Sequence, residues 1–228
     1  MKLKTGSWTF GGNLPKKFEE HINKSVPLYL EGHDIINKLS DYFIKDGSNC
    51  YDIGCSTGNL LAKLSNHNNK KKVNFYGIEI EKSMYKHAVS KLKGKNIKLI
   101  NKNINSIKLK KADLIISYYT VQFIPPSVRQ NVLNKLYKSL NWGGAFIMFE
   151  KVRGNDARFE NILNSLYLEF KSDNKFSNDH LIEKSKSLRG IMEPFSDKGN
   201  IGLLKRSGFE DIQIIMQFLC FKGYLCIK

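Results

Sequence analysis

Five residues, Gly54-Cys55-Ser56-Thr57-Gly58, join a short apolar run at 50–53 to a stretch in which Leu60, Leu61 and Leu64 fall at helical spacing. A strand that stops at a small-residue loop and restarts as a helix is the opening unit of an open α/β sheet. Few other folds use it. Further strands are expected at 73–78, 97–100, 114–117 and 145–150, with helical stretches near 83–92 and 127–140 between them. This alternation predicts parallel pairing with crossover helices on both faces.

Before the first strand, residues 14–24 and a second stretch to about 44 have helical period, punctuated by Pro27, and make an N-terminal helical cap over 1–46. After Glu150 the alternation breaks. Helical segments near 157–170 and 178–188 form an insertion over 155–190 suited to act as a lid, followed by a loop with Pro194, Ser196 and Asp197. A helix near 201–207 then leads to strand-like runs at 212–218 and 224–227, expected to close the sheet as an antiparallel hairpin. The expectation is one α/β domain over 1–228: a mostly parallel seven-stranded Rossmann-like sheet with a C-terminal antiparallel hairpin and a helical insertion.

A chain of 228 residues with 41% apolar side chains can bury a substantial core, which excludes wholesale disorder. No apolar run reaches the ~20 residues that cross a bilayer, and 1–17 lacks a signal-peptide core, so a cytoplasmic protein without membrane contact is expected. Cys50, Cys55, Cys220 and Cys226 lie in or beside apolar runs and read as reduced core thiols. Neither they nor the five scattered histidines have metal-ligand spacing, so no metal is expected. Lys and Arg number 37 against 21 Asp and Glu, a formal charge of +16. Only five are Arg, and the lysines accompany abundant Asn, which reads as compositional bias more than as a phosphate surface. The acid-free stretch 82–111 keeps a polyanion-binding face as the less favoured reading.

In an open α/β sheet, ligands bind beyond the carboxyl ends of the strands, where strand order reverses. The 54–58 loop belongs there. Gly54 and Gly58 permit close backbone approach, and the helix that follows presents unpaired N–H groups. Glu79, ending the second strand 25 positions after Gly54, is placed to accept from both hydroxyls of a ribose, so an adenosine ligand is expected. Asp52 stands two before Gly54, and the glycines are four apart. That spacing resembles the first motif of class I S-adenosylmethionine-dependent methyltransferases, with Ser56 at the middle glycine.

The resemblance goes further. Ser25-Val26-Pro27-x-Tyr29, Gly54-Cys55-Ser56, Thr120-x-Gln122-Phe123, Leu140-Asn141-x-Gly143-Gly144-Ala145, Glu150-Lys151 and Gln217-Phe218-x-Cys220-Phe221 are similar to the carboxy-S-adenosylmethionine synthase family, from about residue 8 to the C-terminus. The resemblance implies an enzyme that uses S-adenosylmethionine and prephenate to make carboxy-S-adenosylmethionine and phenylpyruvate, the product feeding carboxymethylation of a tRNA wobble uridine. It also implies a homodimer. Tyr29, Asp52, Gly54, Cys55, Ser56, Gly58, Glu79, Ile80, Asn103, Ile104 and Tyr118 are then the cofactor contacts, for S-adenosylmethionine, its demethylated form or the carboxylated product.

Three departures bear on chemistry. Asn103 stands where the family has Asp, and keeps a carbonyl oxygen for the adenine amino group while losing the charge. Tyr118 replaces an Asn after strand four. Ser185 falls where the family grips the transferred carboxylate with an Arg fork, which leaves Arg189, a turn further on, to supply the fork and Lys186 a point charge. Tyr118, Arg189 and Lys186 are the candidate catalytic residues. Two rival readings follow: an ordinary methyltransferase of a small molecule or RNA, and a noncatalytic module that binds cofactor or RNA. The first of these is not an Asn/Asp-Pro-Pro-aromatic amino methyltransferase, since Ser117-Tyr118-Tyr119-Thr120 stands at that position. Trp8 and Phe10 read as an N-terminal strap in preference to a base-stacking platform.

Overall fold

The computed structural model describes residues 5–12 and 14–228; residues 1–4 and Asn13, within the expected helical cap, lie outside the described residues. Two helices, α1 (Leu14–Ser25) and α2 (Tyr29–Phe43), precede β1 (Asn49–Ile53), α3 (Asn59–His67), β2 (Asn74–Ile78), α4 (Lys82–Lys91) and β3 (Ile97–Ile100). Then come β4 (Ala112–Tyr118), α5 (Pro126–Ser139), β5 (Leu140–Lys151), α6 (Ala157–Asp173), α7 (Asn178–Ser187), α8 (Asp197–Ser207), β6 (Asp211–Phe218) and β7 (Phe221–Ile227). Short 3-10 turns at Ile104–Ser106 and Val121–Phe123 follow β3 and β4.

The strands form one sheet in the order β3-β2-β1-β4-β5-β7-β6. β1 to β5 are parallel, while β7 runs antiparallel to both β5 and β6. Order therefore reverses at β1, whose neighbours are β2 and β4. This is the α/β Rossmann-like architecture expected from the alternation. The strands carry apolar side chains on both faces because helices cover both. Leu114, Ile116, Ala145, Ile147 and Phe149 pack towards one cluster with Ile36, Leu61 and Leu64, while Ile115, Phe146 and Met148 meet Val132, Leu133, Leu136 and Phe209 on the other side. Each such buried side chain contributes roughly 1.5–3 kcal/mol.

Two boundaries depart most from expectation. α8 starts at Asp197, not near 201, because Ser196 caps it: its Oγ accepts from Gly199 N at 3.1 Å. β5 begins at Leu140, which pairs with Ala112 across an irregularity in the ladder, so 140–144 are strand although Gly143 has φ +73°. The four cysteines are buried and unpaired, and no helix of the described residues is long and apolar enough to cross a membrane.

Candidate active site

The carboxyl end of β1 opens on a cavity of about 610 Å³. Its floor is the glycine loop. Gly54 (φ +75°), Ser56 (φ +52°) and Gly58 (φ +79°) all lie in the left-handed region, and a Cβ on Gly54 would collide with the Thr120 side chain. Ser56 thus takes a glycine's conformation, at a cost of about 1–2 kcal/mol. Glu79 holds it there: Oε2 accepts from Ser56 N and Oε1 from Glu81 N, both at 2.8 Å. Gly54 N and Cys55 N donate to Ile78 O at 2.7 and 3.1 Å, which ties the loop to the end of β2. Burial lifts the Glu79 carboxyl above its usual range despite these two bonds.

Asp52 lies buried one residue before the strand ends. Burial, then repulsion from Glu79, raises its carboxyl to about 7, and its Oδ1 has no hydrogen-bond partner. An orphaned carboxylate oxygen in a residue that lines a cavity is what a bound ammonium group satisfies. With the acceptors of Glu79 beside it, this end of the cavity fits the amino-acid and ribose groups of an adenosyl sulfonium.

The side wall is aromatic. Tyr29 packs against His33, Tyr118 and Tyr119 at centroid distances of 4.7, 5.0 and 6.3 Å. Of the two adjacent tyrosines at the end of β4, Tyr118 donates its hydroxyl to Tyr29 O at 2.6 Å, whereas Tyr119, at φ +58°, has a buried hydroxyl with no partner. Burial pushes both phenols far above their usual range. The Tyr119 turn is braced by the motifs around it. The Glu150 carboxylate accepts from Val121 N and Gln122 N at 2.8 and 2.7 Å, while the Gln122 amide donates to Tyr119 O and accepts from Lys151 N. Burial raises the Glu150 carboxyl to about 8.

The far end is built by α1, β5, α6 and α7. Trp8 and Phe10 roof it: Trp8 N donates to Ser187 O at 3.1 Å, Trp8 stacks on His21, and Phe10 meets Phe123 edge-on at 5.0 Å. Tyr167 of α6 donates to Ser25 O at 2.8 Å, and Lys151, Lys171 and Lys184 line the same space.

Of the residues expected from sequence, Tyr29, Asp52, Gly54, Cys55, Ser56, Glu79, Ile80, Tyr118 and Arg189 line the cavity. Gly58, Asn103, Ile104 and Lys186 do not. Gly58 is the N-cap of α3, where a Cβ would lie 2.6 Å from Leu92. Asn103 is exposed, its Oδ1 accepting from Asn105 N at 2.9 Å, and Ile104 is buried in the core against α5. Lys186 is exposed while Lys184 and Ser185 line the cavity with Leu181 and Leu188. The cause is helix period: 184, 185 and 188 follow 181 by three, four and seven residues and share its face, and 186 does not. That signal is present in the sequence, as is the Tyr118-Tyr119 pair at a strand end; Lys171 carries none. Among the described residues, no group of His, Cys, Asp or Glu is arranged to hold a metal.

A methyltransferase-domain family model matches residues 51–144. The chain is similar, at 37% identity over all of both chains, to a protein of Staphylococcus epidermidis named carboxy-S-adenosyl-L-methionine synthase. A protein of that name from Campylobacter lari is 30% identical over 96% of this chain and 94% of its own. Among solved structures, phosphoethanolamine N-methyltransferase 2 of Haemonchus contortus with S-adenosyl-L-methionine aligns at a TM-score of 0.67, with 12% identity over 94% of this chain and 56% of that one. A putative O-methyltransferase of Nostoc punctiforme aligns at 0.64, with 13% identity over 94% and 59%. The solved structures share the fold, and the curated relatives match along the whole length: the chain belongs to the carboxy-S-adenosyl-L-methionine synthase family.

Proposed function

We propose that this chain is an S-adenosylmethionine-dependent transferase that converts S-adenosylmethionine and prephenate into carboxy-S-adenosylmethionine and phenylpyruvate. The observation that carries the reading is the pairing, in one cavity, of the orphaned Asp52 oxygen with the Glu79 acceptors at the switch point of the sheet. Asp52 would accept from the amino group of the amino-acid tail, and Glu79, with lone pairs left beyond its two backbone bonds, from the ribose hydroxyls. When bound, the sulfonium supplies a methyl carbon acidic enough to exchange a proton for carbon dioxide. The balance closes without an oxidant: prephenate gives up its ring carboxyl and hydroxyl as it aromatises, the methyl gives up one proton, and hydroxyl and proton leave as water.

The chain's own work is positioning and exclusion of solvent. Trp8, Phe10, α6 and α7 cover the space above the loop, and we read 155–190 as its lid. A cytoplasmic location, supply of the product to tRNA wobble-uridine modification and a homodimer complete the proposal, Phe159, Ile162 and Leu166 on α6 being apolar side chains that a second copy would cover.

Incubation with S-adenosylmethionine, with and without prephenate, followed by mass spectrometry tests the reaction. A sulfonium heavier by one carbon dioxide, formed only with prephenate, is expected. Turnover that yields only the demethylated cofactor and a methylated acceptor overturns it in favour of ordinary methyl transfer.

A further inference from the structure

Three lysines from three elements converge at the end of the cavity away from Asp52. Lys151 closes β5, Lys171 sits in the last turns of α6 and Lys184 in α7. The Lys171 and Lys151 ammonium groups lie 4.1 and 4.7 Å from the centroid of the Tyr167 ring, so one phenol ring serves two cations. Lys184 Nζ donates to Ser25 Oγ at 3.2 Å and to His21 Nε2, and lies 5.3 Å from the Trp8 ring.

No carboxylate answers them. Among the described residues, every ion pair lies elsewhere. Glu150 and Glu160, on two of the same elements, are engaged elsewhere, Glu150 with Val121 N and Gln122 N, Glu160 with Gly154 N and Asn164. Partly buried cations held together without a counter-ion are unfavourable, and aromatic faces offset only about 1–2 kcal/mol each. A site that keeps such a cluster is poised for an anion.

We propose that Lys171 and Lys184, assisted by Lys151, form a carboxylate subsite that grips a dianionic, ring-bearing co-substrate by separate ammonium groups. The ring is inferred from the walls, where Trp8, Phe10, Tyr167 and Phe221 offer apolar surface around the cations. Ser185 brings no charge to this face and Arg189 stands exposed at the rim, so the interior cations are lysines. The subsite deepens the carboxyl-transfer reading and rests on it for the ligand's identity as prephenate.

Protonation makes the proposal measurable. Burial, then repulsion from Lys151, lowers Lys171 to about 8; burial, then repulsion from Lys171, lowers Lys184 to about 7. The other titratable groups around them hold their state near pH 8. His21 on α1 is lowered to about 4 and His180 on α7 is also lowered, chiefly by burial, so both are neutral; burial raises Cys220 and Tyr167, so both stay protonated. A dianion seated on the lysines restores their charge and takes up roughly one proton at pH 8.

The test is calorimetric titration of prephenate into the protein loaded with S-adenosylhomocysteine, at pH 8, in two buffers of different ionisation heat. Uptake of about one proton is expected, with Kd raised at least tenfold in Lys171→Met and Lys184→Met and partly recovered in Lys184→Arg, while affinity for S-adenosylhomocysteine, which reports folding, stays within twofold. Binding unaffected by both Met variants, or binding without proton uptake, overturns the subsite. If a variant fails to fold, proton uptake by the unaltered protein decides. Lysine-dependent binding without formation of carboxylated product upholds the subsite and sinks the reaction. Product formed at unchanged KM in both variants does the reverse, and absence of binding and turnover removes both.

Discussion

The two ends of the cavity are built on different principles. At the cofactor end, main chain does the shaping: a five-residue loop with three left-handed residues, held by one carboxylate that bonds two N–H groups, next to one acid left unpaired. At the lysine end, the main chain is regular helix and strand, and the site consists of side chains from α1, β5, α6 and α7. A backbone-built site fails abruptly when its one brace is removed, whereas a side-chain cluster loses affinity in increments. Glu79→Ala is the sharpest probe of that contrast. It leaves Ser56 N and Glu81 N without partners, frees a strained serine turn and removes the acceptor proposed for the ribose. Two charge-assisted bonds at roughly 1.5 kcal/mol or more each correspond to about 100-fold weaker binding of S-adenosylhomocysteine by calorimetry. Unchanged affinity would mean that the loop is shaped by β1 and β2 alone, and the contrast would fail.

Asp52→Asn is the next largest, and its sign differs between stability and binding. A carboxyl whose folded value is raised from 3.8 to about 7 has its stabilising contribution in full below about 3.8 and loses it as pH rises through 7. At pH 8 the native aspartate is therefore a burden on the empty protein. The amide is free of it. Cofactor-free Asp52→Asn is expected to melt higher than the unaltered protein at pH 8, with the difference shrinking towards pH 4, while S-adenosylhomocysteine binds about tenfold more weakly for want of a charged partner. A variant that melts lower at pH 8, or binds as tightly, would place Asp52 in the fold's support and not in the site.

The same contrast explains what could be read in the sequence. The glycine loop, Asp52 and Glu79 lie within 28 residues, and each is demanded by local geometry, so spacing alone brought them together. The strands were legible because a sheet covered on both faces makes continuous apolar runs. The lysine end joins Tyr167 to Ser25 across 142 positions and Lys184 to His21 across 163. No local pattern marks such pairs, and in a chain this rich in lysine a cavity cation looks like any surface one. α7 shows how near the reading comes: the sequence points to Ser185 and Lys186, and only the helical face occupied by Leu181 and Leu188 sets Lys184 in the cavity and Lys186 outside it. Asn103 shows the opposite outcome. A plausible acceptor by position, it bonds its own turn.

Tyr118 lies where the two regimes meet, and its replacement should matter least. Its ring is packed among Tyr29, His33, Tyr119 and Phe149, and its hydroxyl donates to Tyr29 O, which fastens the first turn of α2 to the end of β4. The fit is close: Gly32 has no side chain because a Cβ there would collide with the Tyr118 hydroxyl. A phenol already donating to main chain, and kept protonated by burial, has no proton to offer a substrate. Tyr118→Phe removes one neutral hydrogen bond and keeps the ring, so a loss of about 1 kcal/mol in unfolding free energy is expected, with kcat and the KM for both substrates within threefold. Tyr119→Phe is the matched comparison, since the hydroxyl it removes has no partner and its ring also lines the cavity. If Tyr118→Phe instead lowers kcat tenfold or more while Tyr119→Phe is silent, the hydroxyl bonded to Tyr29 must release that bond during turnover, and α2 would then move with the reaction.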